Sequence, residues 1–418
     1  MRKISKISLV AAVAVAGFST ANAQPLEEAI KNVDVSGSVV YRYDNADNKE
    51  NNNAQGKDID RNRYKIALNL SSKVNDYVKF NSRFIVGGPD SGWATTHASK
   101  NNPNAGDTNV DVTLSNAYFG FTAIPNTVIN IGKMGLATPY TVATDINGNE
   151  QNGTGILALT NISVVTLGAG YFNNQNFKQL TDINASMGLT STATSPLFNT
   201  GDDIYVATVQ GDLDFVKLEA WYLGLQDTFN SYTLAATGKI DFAENAKLGL
   251  EARWVQLTLD SEARKAYGLS EKDNSMFRFA ADGKFSIVNA RLAYTKTGKD
   301  GGLTAVDQDA KNTSLGWNIT SNGVADANYF QAALGVDILD NLNFTAHYGN
   351  LSADAADAGK NVLIDDLKQQ EVYGQLTYKM SKNLTTYLRY GKYEEKTKST
   401  GVKDVDQNLG RLQVAYTF

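Results

Sequence analysis

The 418-residue chain has no cysteine. That rules out disulfides, thiol nucleophiles and thiolate metal ligands together. Histidine is almost as scarce: His97 and His347 are the only two and share no motif. With no Gly-x-Ser-x-Gly turn either, a nucleophilic triad has little material, and the chain reads as non-enzymatic. Phosphate-loop and dinucleotide motifs are missing too. Past the first twenty or so residues no apolar run reaches the roughly 18 residues a helical membrane span needs, and mean hydropathy is −0.31. That test is blind to strands, in which only alternate residues would face lipid. Proline is limited to six residues, against 35 glycines and 20 tyrosines.

The formal charge is −5 and includes a cationic head of Arg2, Lys3 and Lys6. An apolar run from Ile7 to Phe18 follows, then Ala21-Asn22-Ala23, the three parts of a secretory signal. Residues 1–23 are expected to be cleaved, giving a mature chain that starts at Gln24 as one domain, 24–418. Without its three cationic residues the mature chain carries −8. An acidic exported protein is a poor partner for nucleic acid.

The mature chain alternates with period two rather than 3.6. Val39, Tyr41 and Tyr43 alternate with Arg42 and Asp44; Tyr64, Ile66 and Leu68 with Arg63, Lys65 and Asn69. The same holds for Val78, Phe80 and Phe84 against Lys79, Asn81 and Arg83, and for Leu248, Leu250 and Trp254 against Glu251 and Arg253. Leu342, Phe344, Ala346 and Tyr348 likewise oppose Asn343, Thr345 and His347. The chain ends on such a strand, with Leu412, Val414, Tyr416 and Phe418 on one face.

A soluble sandwich could show that alternation, but not the spacing of the links. Short ones (72–75, 123–126, 211–212, 337–341, 381–383) alternate with long polar ones (45–60, 87–109, 135–154, 173–202, 258–273, 298–325, 352–367, 394–406), 226–230 being a brief exception. Short periplasmic turns and long extracellular loops mark an outer-membrane barrel. The expected fold is all-β, a transmembrane antiparallel β-barrel of about 18 strands, wide enough for an aqueous channel. Outward aromatics such as Tyr41, Tyr64, Phe119, Tyr294, Tyr348 and Phe418 are expected in interfacial girdles.

The mature start, Gln24-Pro-Leu-Glu-Glu-Ala-Ile-Lys-Asn-Val-Asp-Val-Ser-Gly37 with Tyr41-Arg-Tyr-Asp44, closely resembles the Campylobacter-type major outer-membrane porins. Gly153-Thr-Gly155 and the terminal Arg411-Leu-Gln-Val-Ala-Tyr-Thr-Phe418 fit them too. The resemblance implies an 18-stranded homotrimeric general-diffusion porin with a third loop folded into the pore, embedded in lipid and lipopolysaccharide and passing ions and small hydrophilic solutes.

That loop is 135–154 and carries Asp145 and Glu150. Facing it, the inward residues of the first strands give a basic ladder: Arg42, Arg63, Lys65, Lys79 and Arg83. Opposed acidic and basic walls would make a transverse field across the pore. Asp145-Ile-Asn-Gly-Asn-Glu150 resembles the start of a calcium loop, but Glu150 and Ile156 stand where Gly and a bidentate Glu belong. A looser divalent site using Asp145, Asn147 and Glu150 is a weaker expectation, and otherwise no cofactor is expected. Two alternative functions remain at this stage. One is a surface interaction protein, an adhesin or phage receptor, using loops such as 173–202 and 298–325. The other is a substrate-specific channel marked by lumenal aromatics, for which Trp221 and Tyr387 are far apart in sequence.

Overall fold

A computed structural model describes residues 32–49, 59–88, 91–96, 110–177, 201–266, 269–354 and 366–418. The expected signal, His97 and most of 173–202 lie outside them. The strands are β1 (Val33–Asn48), β2 (Ile59–Asn75), β3 (Val78–Gly87), β4 (Ala94–Thr96), β5 (Asp111–Phe121), β6 (Thr127–Gly135), β7 (Asn152–Ile162), β8 (Val165–Gln175), β9 (Ile204–Asp212) and β10 (Val216–Leu225). They continue with β11 (Phe229–Ala243), β12 (Ala246–Leu259), β13 (Asp273–Phe285), β14 (Val288–Thr297), β15 (Ala327–Leu339), β16 (Leu342–Ala353), β17 (Leu367–Lys379), β18 (Leu384–Thr397) and β19 (Lys403–Thr417). A short helix, α1 (Ser261–Ala266), sits between β12 and β13. Three-residue β4 extends the upper end of β2 from within a loop. The remaining strands form a closed antiparallel barrel of eighteen.

Closure comes from β1 on β19, in register from Ser38↔Thr417 to Asn48↔Gln407. Gly37 N–H donates to Phe418 O at 2.9 Å and Phe418 N–H donates back at 3.1 Å, so the terminal residue is sewn into the seam. Among the described residues each of the eighteen barrel strands has a neighbour on both sides, which removes the open edges that pair with other chains. At the periplasmic end Ser163, Asp214 and Ser286 turn the chain at φ 56°, 67° and 52°, the left-handed geometry that tight hairpins need.

The expected inside and outside are those observed. Arg42, Asp44, Arg63, Lys65 and Arg253 are buried within the barrel, whereas Tyr41, Trp254, Phe344 and Tyr416 face out. The outer surface is an apolar belt of residues such as Val209, Leu234, Phe277, Leu292, Leu334 and Leu388, too continuous for a water-facing wall and matched to lipid. At its extracellular border the tyrosines are tethered by polar neighbours. Tyr41 Oη donates to Asn62 at 2.6 Å, Tyr222 to Asn230 at 2.6 Å and Tyr294 to Asn328 at 2.7 Å, while Tyr171 and Tyr205 share Asp203. A buried apolar body with one wet hydroxyl is what an interfacial girdle selects.

The interior departs from a uniformly polar lumen. Toward the extracellular side, Val206, Leu223, Val255, Leu257 and Met276 of the wall pack with Leu136, Tyr140, Leu303 and Val306 of two loops. A second apolar cluster joins Ile319 and Val324 to Tyr329, Leu351, Tyr393, Val405 and Leu409. Both exist because loop segments have entered the barrel and bury apolar side chains against it.

Candidate pore constriction

The first inward loop spans 136–151, between β6 and β7, as expected for the third extracellular loop. It folds into a small hairpin closed by the Thr144↔Glu150 bridge. Gly148 turns it at φ 81°, and a Cβ there would strike the Trp93 ring. Glu150, only 1% exposed, anchors the loop. Its Oε1 accepts from Lys65 Nζ at 2.7 Å and Arg83 Nη2 at 3.0 Å; its Oε2 accepts from Arg83 Nε and Ser115 Oγ, both at 2.9 Å. Burial alone would raise this carboxyl, but Arg83 and Lys65 outweigh it and hold the group below the usual range.

Beside this anchor, Arg42 donates to Gln413 at 2.8 Å and to Ile146 O at 2.9 Å. Arg63 and Arg411 share Asp44, and Arg42 and Arg63 stack on Trp93 at 4.7 and 5.6 Å. Four of the expected residues, Arg42, Arg63, Arg83 and Glu150, therefore meet at one level, with Lys65. Asp145 belongs to the same loop but caps its own turn, accepting from Asn149 N–H at 2.8 Å and Asn149 Nδ2 at 2.7 Å.

Lys79 is a correction. It stands near the periplasmic start of β3, half exposed, with Asp34 as its ion-pair partner at 3.7 Å. Inward parity gave its face but not its height, and four residues along a strand put it more than 10 Å below Arg83. Between the two, Ser36, Asn69, Asn81 and Asn116 line a polar cavity of about 440 Å³ beneath the loop.

The loop at 298–326, expected as surface-facing, is the larger correction. Thr304, Asp307, Asn312, Ser314, Ser321 and Asn322 are almost completely buried. Arg278 donates to Thr313 O and, at 2.8 Å, to Lys311 O, while its Nη2 pairs with Glu251 at 2.6 Å. Arg253 reaches Asn312 Oδ1 at 3.3 Å. On the opposite wall, Glu371 accepts Trp317 N–H at 2.8 Å and Asn318 N–H at 2.9 Å. Gly316 is needed there, because a Cβ would lie 1.7 Å from Glu371 Oε1. The two loops also hold each other: Val306 N–H and Asn312 N–H donate to Tyr140 O and Pro139 O, both at 2.9 Å. Ile146 N–H donates to Asp309 at 2.7 Å, and Gln151 to Asp307.

Sequence reading missed Trp93, Trp317, Arg278 and Arg411 as lumenal groups. The parity of Arg278 and Arg411 was visible on their strands; Trp93 and Trp317 lie in loops, whose inward course was not. His347 of β16 is half-buried and stacked on Tyr373 with ring centres 4.4 Å apart. The arrangement can narrow a water-filled channel and impose fixed charge on it. Among the described residues no three His, Asp or Glu side chains come close enough to hold a metal ion, and Glu150 of the expected metal trio is committed to Lys65 and Arg83.

The fold resembles that of several solved outer-membrane channels. OccAB3 of Acinetobacter baumannii superposes with a TM-score of 0.72 at 14% identity, covering 92% of this chain and 99% of that one. OprD of Pseudomonas aeruginosa gives 0.68 at 17% identity, with 92% and 93% covered. OpdK of Pseudomonas aeruginosa, solved with vanillate, gives 0.66 at 15%, with 92% and 98% covered. No curated protein matches the chain. The family model described as Campylobacter major outer membrane protein matches residues 1–418, the whole sequence; the chain belongs to that family and is an outer-membrane porin for small solutes.

Proposed function

We propose that this porin is a general-diffusion channel whose selectivity is set where the third loop meets the basic wall. The observation that carries the reading is Glu150, buried between Lys65 and Arg83, with Arg63 and Arg411 beside it sharing Asp44 and Arg42 bonded to Gln413 and Ile146 O. Cationic side chains outnumber carboxylates at this level, so a solute crosses a field pointing from wall to loop. Permeation in this reading is passive and involves no catalytic step. A homotrimer packed through its apolar belt, in contact with lipopolysaccharide, is the assembly we propose.

Planar-bilayer recording under a KCl gradient tests the assignment. The wild type should give large ohmic steps, which a trimer would close in thirds. The double substitution Arg42→Ala, Arg63→Ala moves the reversal potential toward that of potassium by on the order of 10 mV, because two fixed positive charges leave the narrowest level. An unmoved reversal potential would show that ions pass elsewhere.

Burial pushes the Asp307 carboxyl far above its usual range, and the nearby Asp309 and Asp145 add to that. A carboxyl whose folded pKa is raised contributes stability that is present at low pH and lost as pH rises through neutrality toward the folded value. The heat-modifiability midpoint on gels should therefore drop between pH 6 and pH 9, and Asp307→Asn should flatten that dependence; an equal midpoint at both pH values in the wild type would show that Asp307 ionises freely.

A further inference from the structure

We propose that the lumen carries a binding station for small planar carboxylates, built on Arg389 and three aromatic rings. The inference rests on the porin reading and adds a solute class to it. Arg389 comes from β18, Tyr373 from β17, Tyr387 from β18 and Trp317 from the inward loop at 298–326. The guanidinium carbon lies 5.0 Å from the Trp317 ring centre, 5.0 Å from that of Tyr373 and 5.4 Å from that of Tyr387. Trp317 meets Tyr373 edge-on, with centres 5.3 Å apart.

Arg389 lacks a counter-ion. Its Nε and Nη2 both donate to the neutral Gln375 Oε1, at 2.8 and 2.6 Å. Among the described residues no carboxylate is within ion-pairing distance of it. Glu371, the nearest acid across the wall, is already taken by the Trp317 and Asn318 amides. Arg63, Arg83 and Arg411 differ in this respect, since each has a carboxylate, whereas Arg42 is bonded to Gln413 and to Ile146 O. A guanidinium fixed by rings and by one amide keeps its Nη1 edge for an in-plane acceptor, with Tyr387 the ring beside it for stacking, since Tyr373 already carries His347 and Trp317 carries Arg411. The neighbouring cavity of about 200 Å³ is lined by Arg291, Gln331, His347, Glu371 and Tyr373, and meets the group only at Tyr373.

That combination selects a solute with one carboxylate on a flat ring. The carboxylate meets Arg389 and the ring stacks on the aromatic wall, so neither a simple anion nor an aliphatic acid uses both halves. The alternative is that the rings merely hold Arg389 in place as part of the wall; such a wall would treat two acids of equal charge and size alike.

Single-channel recording at constant ionic strength separates the two, with benzoate and cyclohexanecarboxylate as probes. Benzoate should lengthen the blocked time at least about three-fold over cyclohexanecarboxylate, the scale of one cation–π contact. Arg389→Gln should erase that difference, and Tyr387→Leu should reduce it while leaving the charge in place. Equal block by the two acids in the wild type overturns the station even if neither variant folds. So does a difference that survives Arg389→Gln, which would place the discrimination elsewhere, such as at Trp93. Conductance steps in KCl without discrimination sink the station alone; failure to see any steps sinks the porin reading beneath it.

Discussion

Glu150→Ala is expected to widen the pore and to destabilise the folded protein together. The carboxylate is the only acid ion-paired with Lys65 and Arg83 among the described residues, and it also accepts from Ser115 and Thr144. Removing it leaves two cations and a hydroxyl buried without their acceptor, a loss of about 3–5 kcal/mol for a broken buried pair. Part of that cost is avoidable if the hairpin at 144–150 swings away and lets water reach Lys65 and Arg83. Conductance should then rise, and the reversal potential should move toward that of chloride, because a negative charge has gone. Glu150→Gln separates the two effects: it keeps a hydrogen-bond acceptor, so the loop stays and the conductance changes little, while the charge-driven shift in reversal potential remains. The acid limb follows from the same geometry. With its folded pKa held down, the Glu150 contribution is present above the usual carboxylate range and lost as pH falls through the depressed value, so the wild type at low pH should approach the alanine variant. If Glu150→Ala conducts and melts like the wild type, this ion-paired anchor does not fix the loop.

How much of this could be read from the sequence differs between wall and loops. Barrel strands have a strict period, so Arg42, Arg63, Lys65 and Arg83 declared their inward face by position alone. Closure of β1 on β19 was foreshadowed by the terminal alternation ending in Phe418. Lys79 shows the limit of parity: period two gives a side but not a depth, and depth depends on where the hairpin turn falls. The loop at 298–326 shows another. Its Asn, Thr, Ser and Gly content looks like solvent-exposed polypeptide, yet those side chains satisfy the backbone of a segment buried in the lumen, as when Asn322 Oδ1 accepts from the Thr304 and Ala305 amides at 2.9 and 3.1 Å. A loop that must bury polar backbone needs many such groups. The one available signal was its apolar residues Leu303, Val306, Ile319 and Val324, which a loop facing only water has no reason to carry.

Shortening that loop carries the largest expected change in conduction. Asp326 N–H donates to Gly298 O at 2.8 Å, so the loop's two ends already touch, and a Gly-Ser link can replace 299–325 without altering the Lys296↔Asn328 register of β14 and β15. The barrel should close as before, since no strand residue is removed and β1–β19 pairing is remote. What disappears is the polypeptide that bridges Arg253 and Arg278 on one wall to Glu371 on the other. Single-channel conductance should rise at least about two-fold, because the lumen of an 18-strand barrel is then narrowed by the third loop alone. That loop loses its contacts through Tyr140 and Asp309 but keeps Glu150, so the truncated channel should still respond to Glu150→Ala, and the second increase should add to the first. The two changes also differ in selectivity. Truncation removes Asp300, Asp307 and Asp309 together with Lys299 and Lys311, and exposes Arg253, Arg278 and Glu371 to the lumen, whereas Glu150→Ala only removes negative charge. With Trp317 gone, any preference for benzoate over cyclohexanecarboxylate should weaken as well. A truncated barrel that is folded by heat modifiability yet conducts like the wild type would place the permeation path away from this loop and leave the third loop as the sole constriction.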